Sequence, residues 1–235
     1  MSETGKLYLI PNLLGGEDTG IIPMHTQKKM LELKHFIVER ERESRRFLKK
    51  VDKSVVIDDL EFHLIPKKKE RQAASELLMP CLNGEDMGLL SDAGCPAVAD
   101  PGADIVRAAH TMGIPVVPLV GPSSILMALM ASGLGGQRFE FHGYLPIEKN
   151  DRTSKLKYLE GMSMRNRSTQ IFMETPYRNE SMLQSCLSAL DNKTWLSVSL
   201  DLSLPTEEVI TMQVADWRKW KPVVNKRPAI FVLIT

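Results

Sequence analysis

Residues 87–119 read MGLLSDAGCPAVADPGADIVRAAHTMGIPVVPL. Four apolar residues, 87–90, open the run as a strand of the buried type. Residues 91–102, SDAGCPAVADPG, hold Gly94, Gly102, Pro96 and Pro101 and read as a loop. The next ten, ADIVRAAHTM, carry a helical pattern that Gly113 stops as a left-handed C-terminal residue. Residues 114–119, IPVVPL, are a second strand, in which Pro115 and Pro118 point to a sheet edge or to strand ends. Strand, helix, strand is the crossover that parallel pairing requires.

The same rhythm extends toward the N-terminus. Residues 7–11, LYLIP, are a strand closed by Pro11, and residues 13–23 form a loop with Gly15, Gly16 and Gly20. A helix is predicted over 26–34, a strand over 35–39, a charged helix over 41–50, a short strand over 62–65 and a helix over 69–82. After Gly121 the rhythm changes. Residues 123–132, SSILMALMAS, form an apolar helix ended by Gly133. Strands are predicted over 139–144, 169–174, 195–200, 207–213 and 229–234, with helices over 152–160 and 177–190. Several of these joins are too short for a crossover helix, which implies a mixed or antiparallel sheet. The expectation is an α/β protein of two domains: residues 1–120 with a mostly parallel sheet, and residues 121–235 with a mixed one.

The chain has 235 residues, 30 lysines and arginines against 29 aspartates and glutamates, and a hydrophobic share of 43%. That composition excludes disordered, collagenous and coiled-coil classes, and the net charge of +1 excludes a polycation while leaving room for a local basic patch. No apolar run approaches the ~20 residues that span a bilayer. The opening residues MSETGKLYLIPN lack the charged and apolar regions of a secretory signal. Cys81, Cys95 and Cys186 are odd in number and widely spaced, which points to a reduced, cytoplasmic compartment. His25, His35, His63, His110 and His142 stand apart in the sequence, so no metal is expected. Lys67-Lys68-Lys69 and Arg165-Asn166-Arg167 read as solvated basic loops.

Two loops sit where an α/β sheet binds ligands, beyond strand carboxyl ends. In residues 91–102, Asp92 and Asp100 offer acceptors for an amine or a ribose. The competing reading is a capping loop, with Asp100 or Asp104 closing the next helix. In VGPSS, residues 120–124, Ser123 and Ser124 either hold a carboxylate or ribose at a helix N-terminus or simply cap it. The three glycines of residues 15–20 match neither a dinucleotide fingerprint nor a P-loop. Cys95 is a poor nucleophile candidate, with acidic residues for sequence neighbours.

SDAGCPAVADPG, then IPVVPLVGPSSILMALMASGL, then FEFHGYLP resembles the tetrapyrrole methylase superfamily, in order and over nearly the whole chain. The closest branch is that of ribosomal RNA small subunit methyltransferase I. IVERERESRRFL resembles that branch's Glu-Asp-Thr-Arg segment, with Glu39 and Arg42 in the matching places. IFMETPYR resembles its Glu-Ser-Pro-His-Arg motif, matching at Glu174, Pro176 and Arg178. The resemblance implies the tetrapyrrole methylase fold, S-adenosylmethionine bent in a cleft between two domains, a homodimer, and 2′-O-methylation of a ribose in the 16S rRNA of the small ribosomal subunit. It places cofactor contacts at Pro11, Ala93, Gly94, Cys95, Val98, Ser123, Ser124, Glu174 and Leu202. It offers Glu39 and Glu174 as catalytic carboxylates and Arg42 and Arg178 as substrate contacts.

The chain departs from the branch in four places. The loop PNLLGGEDTG after the first strand is lengthened, and Arg40 replaces the acidic partner of Glu39. An Ala-Arg-Glu-Leu-Thr-Lys motif becomes Ser199-Leu200-Asp201-Leu202-Ser203-Leu204, losing both cations, and a Lys-Gly-Glu motif becomes Lys226-Arg227-Pro228. Lost cations weaken phosphate contact. Two other readings therefore stand beside the rRNA enzyme: a methyltransferase acting on a small molecule such as a tetrapyrrole, and a binding module that kept the fold. A rim of Arg40, Arg42, Arg45 and Arg46 favours RNA, although Glu39, Glu41 and Glu43 interleave with it.

Overall fold

β1 (Leu7–Ile10) lies between β4 (Met87–Leu90) and β5 (Val116–Pro118), and β4 in turn pairs with β2 (His35–Val38). With β3 (Glu61–Leu64) outside β2, the sheet runs β3-β2-β4-β1-β5, parallel throughout. The structure is a computed structural model that describes residues 4–66, 71–220 and 223–235; Lys67-Lys68-Lys69 lies outside them. The chain divides into two compact units, Met1–Ser123 and Ser124–Thr235.

In the first unit, side-chain alternation explains why every residue of β4 is buried. Tyr8, Ile10, Phe36, Val38 and Leu90 face one cluster with Met30, Phe47 and Leu48. Leu7, Ile37, Met87 and Leu89 face the other with Leu78, Ile105 and Ala109. The covering helices are α1 (Met24–Leu31), α2 (Glu41–Val51), α3 (Arg71–Leu77), α4 (Met79–Leu82) and α5 (Ala103–Thr111). The single helix predicted over 69–82 is two. Pro80 in the first turn of α4 has no N–H to continue α3, and Leu78 leaves helical geometry at φ −94°, ψ 4°. β5 does take the sheet edge, where Pro118 costs no ladder hydrogen bond.

The second unit starts with α6 (Ser124–Ser132) and continues through β6 (Phe139–Tyr144), α7 (Lys149–Asn166), β7 (Thr169–Glu174), α8 (Asn179–Ala189), β8 (Trp195–Leu200), β9 (Glu208–Gln213), α9 (Val214–Trp217) and β10 (Ala229–Ile234). Its sheet runs β6-β7-β10-β8-β9; β6 and β7 are parallel and the other pairs antiparallel. α7 is twice as long as predicted. It passes through Gly161 and stops only where Arg167 turns left-handed at φ 50°, so Arg165 and Asn166 are helical, not loop.

Phe231 on β10 pairs directly with Phe172 on β7, and the rings stack at 5.3 Å. Both are fully buried. Trp217 is also buried and satisfies its indole by donating to the Leu196 carbonyl at 2.8 Å. All three tryptophans, Trp195, Trp217 and Trp220, lie in this unit, so tryptophan fluorescence reports its unfolding alone. Phe231→Ala should cost about 3–5 kcal/mol in the fluorescence-detected urea transition, the usual loss for an emptied aromatic core site.

Candidate active site

Parallel pairing brings the carboxyl ends of β1, β2, β4 and β5 to one edge of the first sheet. Asn12 and Gly94 tie two of the loops there. The Asn12 amide donates to the Gly94 carbonyl at 2.9 Å, and the Gly94 amide donates back at 3.2 Å. The Asn12 side chain donates to the Ser91 and Asp92 carbonyls at 2.9 and 3.3 Å and accepts from the Leu13 amide at 2.7 Å. The sequence reading missed Asn12; an amide directly after a strand-ending proline was the only signal available. Gly94 sits at φ +68°, and a Cβ there would meet a Leu14 methyl at 3.3 Å. Gly94 is buried with both backbone polar atoms used, so it shapes the loop.

Asp100 holds the turn of the loop and does not cap α5. Its Oδ1 accepts from the amides of Ala97 and Gly102 at 2.7 and 2.8 Å, and the Gly102 cap of α5 has no side-chain bond. The turn holds Ala97 at φ 65° and Ala99 at φ 61°, left-handed positions that cost alanine on the order of 1 kcal/mol each. This leaves Ala93 and Val98 exposed on the loop and Cys95 half-buried, with its Sγ donating to the Pro122 carbonyl at 3.4 Å. Burial pushes the Cys95 thiol up, away from nucleophilic use. Pro11 is buried against the exit of β5: a Cβ on Gly121 would lie 2.1 Å from its ring. Ser123 ends the first unit and Ser124 opens α6.

Glu39 is the first residue beyond β2 and is half-buried. Burial raises its pKa above the ordinary carboxylate value, Asp92 and Asp100 add to the rise, and Arg40 opposes it. Arg40 has turned to Asp92, its Nε donating to Oδ2 at 2.6 Å. On α2, Arg45 pairs with Glu41 and Arg46 with Glu43. Arg42 is exposed and has no ion pair among the described residues. Beside α2 runs a groove of about 790 Å³, floored by Asn12, Leu13 and Phe47. Five cations line it (Arg45, Arg46, Lys49, Lys50 and Lys53) against three carboxylates.

In the second unit, Glu174 ends β7 with its side chain fully enclosed. Its Oε1 accepts from Arg178 Nε at 2.9 Å and from the Thr175 amide at 2.6 Å. Its Oε2 is buried with no partner among the described residues. That geometry does not suit the general-base role offered by the sequence. It suits a residue that positions Arg178 and that still lacks one hydrogen-bond donor. Leu202 is buried in the turn after β8, where Asp201 and Ser203 are left-handed at φ 51° and 71°. Arg227 pairs with Asp201 at 2.6 Å and Glu208 at 2.8 Å. The cation gained at 227 is therefore used internally, while Leu200 is wholly buried.

The histidines are not all isolated in space. His35 on β2 and His63 on β3 stack with ring centroids 5.6 Å apart, and Glu61 lies beside them.

No family model matches the chain. It is 31% identical over 214 residues to the ribosomal RNA small subunit methyltransferase I of Vibrio cholerae, spanning 91% of this chain and 70% of that protein. The Escherichia coli O157:H7 protein of the same name is 34% identical over 166 residues, 70% of this chain and 57% of that one. The chain belongs to the ribosomal RNA small subunit methyltransferase I family. The Bacillus subtilis relative in this family is 29% identical across 93% of the chain and 71% of its own length. Among solved structures, the methyltransferase CobJ aligns with a TM-score of 0.64 at 14% identity, over 97% of this chain and 94% of that one. The Thermus thermophilus uroporphyrin-III C-methyl transferase complexed with S-adenyl homocysteine aligns with 0.56 at 17% identity, over 98% and 97%. Both show that this family member has the tetrapyrrole methylase fold. No helix among its described residues is long and apolar enough to cross a membrane.

The raised pKa of Glu39 has a consequence for stability. A carboxyl whose pKa is higher folded than unfolded makes ionisation costly to the fold as pH rises from the unfolded value, about 4.3, through the folded one. Glu39→Gln should therefore raise Tm at pH 7 and lose that advantage near pH 4, as read by calorimetric scans at both values.

Proposed function

We propose that the chain is an S-adenosylmethionine-dependent methyltransferase whose acceptor is a ribose 2′-hydroxyl of 16S rRNA in the small ribosomal subunit. The observation that carries this reading is the match to relatives named for rRNA methylation over more than nine-tenths of the chain. The loop chemistry fits the cofactor. Exposed Ala93 and Val98 offer apolar surface to an adenine, half-buried Cys95 lies between them in sequence, and Pro11 and Gly94 fix the loop shape. Ser123, Ser124, Glu174 and Leu202 complete the proposed set, and the unpartnered Glu174 Oε2 is an acceptor suited to a ligand amine or hydroxyl. When bound, S-adenosylmethionine would supply an electrophilic methyl on a sulfonium, whose S–CH₃ bond pair would stay with sulfur to leave the neutral thioether S-adenosylhomocysteine.

The chain's own work is alignment and proton removal. Glu39 takes the proton that leaves the ribose hydroxyl as the O–CH₃ bond forms. Its burial raises its basicity for that step, and Arg40 is kept from neutralising it directly by its bond to Asp92. Arg42 and the basic groove along α2 hold phosphates, with Arg178, oriented by Glu174, as a further cation. The proposed assembly is a cytoplasmic homodimer, supported by the apolar face of α6, where Met130 is 80% and Leu126 50% exposed. Light scattering at micromolar concentration should return twice the 26.4 kDa chain mass.

The acceptor is tested by supplying labelled S-adenosylmethionine with small-subunit particles, naked 16S rRNA or tetrapyrrole precursors. Label should appear at a ribose of the RNA. Label on the tetrapyrrole alone would overturn the reading. Ala93→Phe, at an exposed site with ordinary backbone angles, should weaken cofactor binding at least ten-fold by calorimetry with little change in Tm. Gly94 is a poorer probe, because any side chain at φ +68° strains the backbone as well. Arg42→Ala should lower methylation about ten-fold and reduce the salt slope by about one, while cofactor affinity stays within two-fold.

A further inference from the structure

We propose that His35, Glu61 and His63 form a binding site for a divalent transition-metal ion of the zinc class. Parallel register sets His35 opposite Glu61 and Ile37 opposite His63, so the three side chains share one face of the β2–β3 pair. His35 Nδ1 is 3.4 Å from His63 Nε2 and 3.5 Å from Glu61 Oε2. A tetrahedron with ligand bonds of about 2.0–2.1 Å has edges of about 3.3–3.4 Å, so both separations fit a shared ion. All three ligand atoms lie within 4.8 Å of one another.

The arrangement is poorly served by hydrogen bonds alone. His35 Nδ1 can carry one proton along one line, yet it is approached by a nitrogen and a carboxylate oxygen together. An ion between the three satisfies all of them. Two imidazoles and one carboxylate are a donor set that suits zinc, cobalt, nickel or copper and disfavours magnesium or calcium. The His35 side chain is 13% exposed and that of Glu61 69%, which gives the ion an inner anchor and an open approach with room for water.

His35 and Glu61 open β2 and β3 and His63 lies two residues further along, whereas Glu39 follows the carboxyl end of β2. At about 3.3 Å per residue, some 13 Å of strand separates His35 from Glu39. The ion would clip the edge strand β3 to β2 through side chains, which is independent of the proposed methyl transfer.

The test uses untagged, full-length protein stripped with chelator, titrated with Zn²⁺ by calorimetry and with Co²⁺ by visible absorption. One ion per chain should bind at micromolar Kd or tighter, with Co²⁺ bands of a four- or five-coordinate site. His63→Ala should weaken binding at least ten-fold, and Glu61→Gln, at an exposed strand position, should weaken it without threatening the fold. Imidazole NMR signals of His35 and His63 in the unsubstituted protein should shift on adding Zn²⁺, which covers the case in which His63→Ala fails to fold. S-adenosylmethionine affinity should be unchanged by the ion. Binding no tighter than millimolar, unshifted histidine signals, or equal affinity in Glu61→Gln would overturn the site.

Discussion

The bridge between Asn12 and Gly94 fixes the geometry on which the candidate site depends. β1 and β4 are neighbours, but their following loops would diverge without a connection past the ladder. Asn12 provides it with two backbone bonds to Gly94 and two side-chain bonds to the carbonyls of Ser91 and Asp92. These satisfy backbone groups that a loop at a sheet edge would otherwise leave to water. With residues 91–94 held, the Asp100 turn can keep Ala97 and Ala99 in left-handed conformations that alanine does not choose freely. Strain of this kind persists only where surrounding bonds over-determine the backbone, and it concentrates at binding loops.

Most charges near the site are used in pairs. Arg40 goes to Asp92, Arg45 to Glu41, Arg46 to Glu43 and Lys50 to Glu17. Exposed pairs of this sort add little stability, on the order of 0–1 kcal/mol, but they set which cations remain available. Arg42 on the same helix has no ion pair among the described residues. In the second unit the charge exchange between Asp201 and Arg227 is self-contained, so the loss of cations at Leu200 and Leu204 is not made good there. RNA contact in the proposed function consequently leans on α2 and its groove, a distribution unlike the one implied by the branch motifs.

Much of the architecture was legible in the sequence, because its signals are local. The crossover at residues 87–119 dictated parallel strands, Pro115 and Pro118 narrowed β5 to a sheet edge or a strand with prolines at its ends, and short joins after Gly121 narrowed the second sheet to mixed or antiparallel. The loop at residues 91–102 was recognisable because glycine and proline between a buried strand and a helix break both patterns. Helix limits were less legible: α7 ran on through Gly161 because packing outweighs the propensity of one glycine, whereas Pro80 broke a predicted helix because a missing N–H cannot be compensated. The sequence alone thus determined the succession of strands and helices and the parallel character of the first sheet, which follow from periodicity and turn chemistry. Only the tertiary structure decided that Asn12 anchors the loop and that His35 and His63 meet beside Glu61. Each of these depends on which residues strand register and long-range folding set side by side, and no spacing along the chain encodes that.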